Sequence, residues 1–291
     1  MQVITQSLIK QLYEYKQGKV CGLQFKAQYV DGVEFPASDA MALGQWFEYK
    51  CSGQKTKFGH IPKPVRLQPK KATQKYIKEH GTSGLIQKGD DYYMEGDLSK
   101  KYKDALVHVE AFQRMLDAYD FEIVATGVTI EDKELGIKGD IDLVVRKLGS
   151  GKDGKLSFID LKYSGLIDNK WEDLGWADES LPYKDKIMIQ CVHYKLLGIK
   201  KLGYEPDFYF WVFSSTNTTD RKNIRVVVDE DRFFEHQTIV QQARNEFEKQ
   251  KSIGFKALPN PKRCGDCILK ADCEHYVEIP QEQVVYYGSQ A

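Results

Sequence analysis

The spacing of apolar residues along the chain predicts a series of helices. Apolar positions recur at helical intervals over residues 5–16, where Leu8, Leu12 and Tyr15 share one side, and again over residues 99–118. Ser38 is placed to cap a helix that runs to about Lys50. Further helices are predicted over residues 184–197 and 229–250.

From residue 121 the apolar pattern changes to the alternation that is typical of strands. Strands are predicted over residues 121–129, 140–147 and 155–163, and a glycine-rich turn at 149–154 joins the last two as a hairpin. Residues 208–213 are apolar throughout, which indicates a central strand covered on both faces, and residues 224–228 form one more strand. The pattern predicts an α/β fold with a mixed central sheet flanked by helices.

Length and composition fit one domain over residues 1–291, of which 42% are apolar. We expect an N-terminal helix segment at 1–35, a core at 36–256 with a candidate lid or insertion at 52–97, and a cysteine-rich tail at 257–291. No run of 18 apolar residues and no signal peptide is visible, so we expect a cytoplasmic protein without a membrane partner, in a bacterium or a phage-infected host. The net charge of zero argues mildly against nucleic-acid binding, although it permits a local basic groove.

Two carboxylates and a lysine are predicted to meet on the hairpin. Alternate residues of a strand share a face, so Asp140 lies beside Asp142, and Asp160 beside Lys162. Adjacent carboxylates repel each other unless a cation lies between them, and oxygen ligands favour Mg²⁺ or Mn²⁺. Such an ion activates water and neutralises a phosphate, so the set contains the groups that phosphodiester hydrolysis requires. A D-x-K sequence alone is weak evidence, because surface ion pairs of this form are common.

The order of three motifs resembles the RecB-type branch of the PD-(D/E)XK nuclease superfamily. The motifs are G-x-x-D at Gly139–Asp142, (D/E)-x-K at Asp160–Lys162 and Q-x-x-x-Y at Gln190–Tyr194. The resemblance implies a restriction-endonuclease-like core in which Asp142 and Asp160 bind metal and Lys162 is catalytic. Asp140 is the alternative to Asp142, but the spacing from the glycine favours Asp142.

The resemblance also assigns roles on two predicted helices. Gln190 and Tyr194, one turn apart on one helix face, are implied to support the site or the DNA. The superfamily usually adds a Glu or His from an early helix, and Glu48 is expected to be this further metal ligand. Gly44, one turn before it, is expected to permit close helix packing. The alternatives, on the helix before the strands, are His108 and Glu110.

The cysteines indicate a second, separate metal site. The six cysteines are Cys21, Cys51, Cys191, Cys264, Cys267 and Cys273. The last three form a C-x2-C-x5-C sequence in a loop with prolines and a glycine, and clustered thiolates favour zinc or iron–sulfur clusters. Cys21, Cys51 and His275 are all candidates for the fourth ligand, whereas Cys191 has apolar neighbours and is expected to be a core residue.

This arrangement of cysteines resembles that of AddB and of the CRISPR-associated adaptation exonucleases. Their fourth cysteine follows an N-terminal helix, which is the position of Cys21 here. The resemblance implies a structural 4Fe–4S cluster that joins the N- and C-terminal segments. Its implied ligands are Cys21, Cys264, Cys267 and Cys273. A proline often follows the first cysteine in these relatives, whereas this chain has Gly22.

The implied activity is that of a Mg²⁺- or Mn²⁺-dependent DNA nuclease, more an exonuclease than an endonuclease. Single-stranded DNA or duplex ends are the expected substrates, in recombination, repair or processing. The sequence carries no Walker motif, so a helicase or recombination partner would be a separate chain. The candidates for stacking on bases are Tyr92, Tyr93, Trp171 and Trp176. A catalytically silent DNA-binding or assembly subunit and a zinc-bound interaction module are the alternative functions.

Overall fold

The structure is a computed structural model that describes most of the chain. The described residues are 3–35, 38–53, 64–66, 74–75, 77–79, 81–82, 85–88, 91–98, 100–259, 264–265, 267 and 269–276. The chain divides into two compact units, one made of Met1–Pro36 with Phe234–Ala291 and the other of Ala37–Phe233. The single domain expected from the sequence, with its boundaries at 35 and 256, stays a prediction, and much of the candidate lid lies outside the described residues.

The larger unit contains a five-stranded mixed sheet, which confirms the predicted α/β class with a mixed central sheet flanked by helices. Its strands are β4 (Phe121–Asp132), β5 (Ile137–Lys147), β6 (Leu156–Ser164), β7 (Asp207–Ser214) and β8 (Arg221–Val226). They lie in the order β4-β5-β6-β7-β8, and only β6 and β7 are parallel. A smaller sheet has the order β1-β3-β2. Its strands are β1 (Pro64–Arg66), β2 (Leu85–Lys88) and β3 (Asp91–Leu98).

Helices cover both faces of the five-stranded sheet. On one face, α3 (Asp39–Ser52) and α4 (Lys100–Ala118) pack on the apolar side chains of the strands, with Trp46 and Phe47 fully buried. On the other face lies α5 (Asp185–Leu202), preceded by a short 3₁₀ helix at Leu181–Tyr183. Because β7 is covered on both faces, Phe208 and the run from Phe210 to Phe213 are fully buried, as the sequence predicts, whereas Tyr209 is only partly buried.

The first helix begins at a threonine cap, and the third begins at the serine cap that the sequence predicts. The hydroxyl of Thr5 accepts a hydrogen bond from the Leu8 N–H at 3.2 Å at the start of α1 (Gln6–Lys16). The hydroxyl of Ser38 accepts one from the Met41 N–H, also at 3.2 Å, at the start of α3. Among the described residues, no helix combines the length and apolar character needed to cross a membrane.

The smaller unit is built from α1, α2 (Gly22–Tyr29) and most of α6 (Glu230–Ile253). The ring of Phe25 contacts those of Tyr15, Tyr29, Phe247 and Phe255 at centroid distances of 4.9–6.2 Å. These contacts join the N-terminal helices to the segment that follows α6. Helix α2 was not predicted from the sequence, because its eight residues lack a clear apolar face.

Candidate functional site

The acidic residues of the hairpin meet where β5 and β6 stop pairing. The last pair in the ladder is Leu143 with Ile159, so Asp142 and Asp160 come next on the two strands. Asp142 replaces the missing backbone partner, since its Oδ2 accepts a hydrogen bond from the Leu161 N–H at 2.8 Å. The end of the ladder therefore directs both carboxylates into one site.

Asp160 is the most deeply buried member of the site, with 2% of its surface exposed. Its Oδ1 accepts a hydrogen bond from Gln190 Nε2 at 2.5 Å, and the ammonium of Lys162 lies against its Oδ2 in an ion pair. Burial alone would lower the pKa of Lys162, but the carboxylates of Asp160 and Asp142 outweigh burial and hold that pKa above its ordinary value. Lys162 is therefore charged at neutral pH.

Glu48, on α3, is the early-helix residue that reaches this site. Burial raises the pKa of Glu48 to about 7, Lys162 opposes that shift and Asp160 adds to it. Burial, followed by the carboxylates of Asp160 and Glu48, raises the pKa of Asp142 well above its ordinary value. Three carboxylates thus interact strongly with one another and with a single lysine.

The two alternatives to Glu48 lie elsewhere. Glu110 is exposed on α4 and pairs with Arg114 at 3.9 Å. His108 is fully buried, and its Nε2 donates to the carbonyl of Asn217 at 2.8 Å. The close helix packing expected at Gly44 was wrong, because none of the described residues would lie within 4 Å of a Cβ added there.

Gln190 and Tyr194 connect the site to the glycine of the first motif. The Gln190 amide that binds Asp160 also lies 3.4 Å from the Tyr194 hydroxyl. The Tyr194 ring packs on Gly139, where an added Cβ would stand 2.7 Å from ring atom Cε1. Asp140, the alternative ligand, is exposed and accepts a hydrogen bond from Thr129 at 2.5 Å.

The acidic site has the chemistry of a divalent-cation site, although its side chains are not arranged as ligands. Across the described ranges, no three His, Cys, Asp or Glu side chains converge on one point as ligands of a metal ion. The buried Oδ2 of Asp160 has no hydrogen bond of good geometry within the described part of the chain, despite its ion pair with Lys162. Burial, with added repulsion from the Asp160 carboxylate, raises the pKa of both Asp142 and Glu48, and a bound cation would stabilise their charged forms. The donor set therefore fits Mg²⁺ or Mn²⁺.

The four cysteines implied by the resemblance line one cavity in the smaller unit. Those residues are Cys21, Cys264, Cys267 and Cys273, and the candidate ligand His275 lines it as well. The Cys21 sulfur accepts a hydrogen bond from the Leu258 N–H at 3.4 Å, and the Cys267 sulfur accepts one from Gln24 Nε2 at 3.2 Å. Four soft thiol donors, two of which accept N–H hydrogen bonds, fit a thiolate-bound metal group.

The remaining two cysteines belong to the larger unit and pack in its core. Cys191 is fully buried on α5, in agreement with the sequence. Cys51 packs against the apolar core beside Glu48, and burial raises the pKa of its thiol well above the ordinary value. Cys51 therefore does not line the cysteine cavity.

Gly22, at the position where the resemblance leads us to expect a proline, makes a close backbone contact. Its N–H donates to the carbonyl of Lys256 at 3.0 Å, and an added Cβ would overlap the backbone of Lys256 and Phe255. A proline has no N–H to donate. This close contact holds the segment after α6 against the start of α2, next to Cys21.

Sequence reasoning missed Gln24, whose amide binds a cysteine sulfur, since no motif marks it. Trp176, one of the base-stacking candidates in the sequence, is buried, with only 4% of its surface exposed. Trp171, by contrast, is 83% exposed. The side chains of Tyr92 and Tyr93 lie outside the described residues.

Comparison with known proteins reveals a likeness in fold to a solved structure. Neither a protein-family profile nor a curated protein sequence matches the chain. Among solved structures, a protein from Eubacterium rectale that is provisionally described as an exonuclease superposes with a TM-score of 0.56 at 13% sequence identity. The match covers 98% of this chain and 91% of that protein. At this level of identity the likeness shows a shared fold.

Proposed function

We propose that this protein is a divalent-metal-dependent DNA nuclease of the PD-(D/E)XK type, acting as an exonuclease. The observation that carries the proposal is the meeting of Asp142, Asp160, Glu48 and Lys162 where β5 and β6 separate. The likeness in fold to a protein described as an exonuclease supports it. A cytoplasmic location and a separate helicase or recombination partner stay predictions from the sequence.

In this proposal the carboxylates of Asp142, Asp160 and Glu48 would hold Mg²⁺ or Mn²⁺. When bound, the ion supplies Lewis acidity toward water and the scissile phosphate. Lys162 stays protonated because its pKa is raised, so it donates hydrogen bonds to a phosphate oxygen or to the attacking water. Each of these groups must be fixed in position for an in-line attack.

Gln190 and Tyr194 are positioning residues in the proposal. The Gln190 amide fixes the orientation of the Asp160 carboxylate through its hydrogen bond. Burial raises the pKa of Tyr194, so its phenol stays neutral and acts as a hydrogen-bonding group rather than as a base. The packing of Tyr194 on Gly139 fixes the position of the ring.

A digestion series tests the activity. End-labelled linear DNA and closed circular DNA are incubated with Mg²⁺, with Mn²⁺ and without metal. Lys162→Ala is expected to lower the rate of metal-dependent cleavage about 10²- to 10³-fold, because a charged donor to the transition state is lost. Lys155→Ala, which removes an exposed lysine at the start of the same hairpin strand, is the matched control. Full activity in Lys162→Ala, or cleavage that needs no metal, would contradict the proposal.

We further propose that the cysteine cavity holds a 4Fe–4S cluster bound by Cys21, Cys264, Cys267 and Cys273. Each thiolate of such a cluster binds a different iron atom, so the sulfurs surround a volume and need not meet at one point. The N–H groups that reach the sulfurs of Cys21 and Cys267 suit thiolates that carry negative charge.

Metal analysis of protein purified without oxygen tests the cluster. Iron, sulfide and an absorbance band at about 400 nm are expected, and Cys21→Ala should lose all three. Cys191→Ala, which removes a buried thiol of the larger unit, should keep them. Stoichiometric zinc without iron, lost in His275→Ala and kept in Cys21→Ala, would instead identify a Cys₃His zinc site.

A further inference from the structure

An exposed tryptophan stands on a loop that directly follows the catalytic strand. The loop covers residues 165–184 and begins three positions after Lys162. Trp171 and Tyr183 in this loop are each 83% exposed. The other three tryptophans, Trp46, Trp176 and Trp211, are at most 4% exposed. Tryptophan and tyrosine are the residue types most enriched among side chains that anchor binding interfaces.

A buried lysine fixes the backbone on both sides of Trp171. Lys184 is 8% exposed, and its ammonium donates to the carbonyls of Lys170 and Glu172 at 2.7 and 2.6 Å. These two residues flank the tryptophan, and Tyr183 directly precedes the lysine. One ammonium therefore braces the backbone beside both exposed rings.

The loop is also closed upon itself. The side chain of Asn169 accepts hydrogen bonds from the N–H groups of Trp171 and Glu172 at 2.9 and 2.8 Å. Gly175 packs so closely on the Asn169 carbonyl that any side chain there would overlap it. Trp171 is thus presented by a rigid loop, which lowers the entropy lost when a ligand stacks on it.

The loop is anchored beside the proposed nuclease site. The buried Trp176 packs edge-on against Phe210 of β7 at a centroid distance of 5.1 Å, and Phe210 is the ladder partner of Asp160. Side chains of paired residues point to the same face of a sheet, so Trp176 lies on the face that carries Asp160 and Lys162. The amine of Lys222 holds the Trp176 carbonyl at 2.9 Å and completes the anchor.

The charges of the loop disfavour a phosphate-binding role. Four of its acidic side chains are in ion pairs with lysines at 3.0–3.6 Å, which leaves no excess of positive charge around Trp171. The four acidic residues are Asp168, Asp173, Asp178 and Glu179. The ammonium of Lys170 lies 5.0 Å from the centre of the Trp171 ring and covers only one face of the indole. The features of this surface suit the flat face of an unpaired base.

We propose that Trp171 stacks on an unpaired nucleobase and positions single-stranded DNA at the nuclease site. This inference rests on the proposed function, which it narrows to substrates with a single-stranded segment near the cleaved bond. A base in an intact duplex is already stacked on both faces, so Trp171 would gain nothing from it. The expected preference is for single strands and overhangs over blunt duplex ends.

Binding is measured by anisotropy with labelled oligo(dT) and with an abasic oligonucleotide of equal length, in the Lys162→Ala background to prevent cleavage. Trp171→Ala is expected to weaken binding of oligo(dT) about tenfold or more and to leave the abasic probe unaffected. Trp171→Phe should keep most of the affinity. Leu148→Ala removes a 66% exposed apolar residue from the turn at the other end of β6, and should change nothing.

Two further readouts separate stacking from other roles. Because the other tryptophans are buried, oligo(dT) should quench the intrinsic fluorescence of Trp171, and Trp171→Phe should abolish that quenching. The slope of log affinity against log salt should be the same with and without Trp171, since no phosphate contact is lost.

Failure of this inference differs from failure of the proposed function. Equal binding of oligo(dT) by Trp171→Ala and its parent, without quenching, would overturn the stacking role even if metal-dependent cleavage is intact. In that case the exposed rings of Trp171 and Tyr183 would be better explained as a contact surface for a protein partner. The opposite outcome is a protein that cleaves no DNA but still shows fluorescence quenching and a Trp171-dependent preference for oligo(dT). It would overturn the proposed nuclease activity and support base stacking.

Discussion

Replacing Gly139 with alanine tests how the first motif is connected to the site. An added Cβ would lie 2.7 Å from Cε1 of Tyr194 and 2.9 Å from Cδ1 of Leu197, where ordinary contacts begin at 3.4 Å. The tyrosine ring must therefore retreat by about 0.7 Å, although Tyr194 is only 5% exposed and has little free space around it. Overpacking of this kind costs about 1–3 kcal/mol of unfolding free energy.

Alanine also has a compensating advantage over glycine in a strand, of about 0.5–1 kcal/mol. The net expectation for Gly139→Ala is a loss of about 0.5–2 kcal/mol, which corresponds to a few degrees in the unfolding midpoint. Gly44→Ala is the matched control, because the added Cβ meets open space in a helix and should stabilise the protein by up to about 1 kcal/mol. The two substitutions should therefore shift stability in opposite directions.

The same displacement should reach the catalytic carboxylate. Movement of Tyr194 disturbs the Gln190 amide, which holds Asp160, and misplacement by about 1 Å can reduce a rate about 10²-fold. We expect cleavage by Gly139→Ala to be about 10- to 100-fold slower, measured on protein shown to be folded by circular dichroism.

A double-mutant cycle isolates the contact. Tyr194→Ala removes the ring that the new Cβ meets, so the double variant should be more stable than the sum of the single effects by at least about 0.5 kcal/mol. Purely additive effects, or stabilisation by Gly139→Ala equal to that by Gly44→Ala, would refute the packing argument.

Three further predictions concern other parts of the molecule. Without divalent metal, the unfolding free energy should fall as pH rises from 4.5 to about 7, because folded Glu48 keeps a proton that the unfolded chain releases. Urea titrations of Glu48→Gln should show a shallower fall of the unfolding free energy with pH. A fall as steep as that of the parent protein would contradict this reasoning. Gly22→Ala should lower the unfolding free energy by about 1–3 kcal/mol, because the added Cβ overlaps the backbone of Lys256, and it should also reduce the metal content of the protein. If both the unfolding free energy and the metal content were unaltered, the close contact would be contradicted. Lys184→Met should speed limited proteolysis near Trp171, because two carbonyls lose their donor; unaltered cleavage would rule out the brace.

The linear sequence predicted the elements whose formation depends on local pattern. The strands of the central sheet and the helices α1, α3, α4, α5 and α6 lie within a few residues of their predicted bounds, because apolar periodicity and capping act over short distances. The ordered motifs likewise indicated which acidic residues to consider. Helix α2 was missed, since it is short and is stabilised by contacts of Phe25 with rings distant in the sequence.

Only the tertiary structure decided how those residues meet. The register of the hairpin ends the hydrogen-bonded ladder just before Asp142 and Asp160. The carboxylates of these two residues therefore enter one site, where Asp142 accepts a hydrogen bond from the Leu161 N–H. At Gly139 the close contact with the Tyr194 ring leaves no room for a side chain, whereas Gly44, where close helix packing was expected, has no such neighbour among the described residues.

The same holds for groups that no motif marks. Gln24 reaches Cys267 across more than 240 residues of chain, and Lys184 braces Trp171 from 13 residues away. The physical reason is that periodicity encodes which face of an element is buried, whereas side-chain contacts depend on how separate elements pack. The sequence thus determined the elements and the candidate chemistry, and packing decided which of these side chains act together.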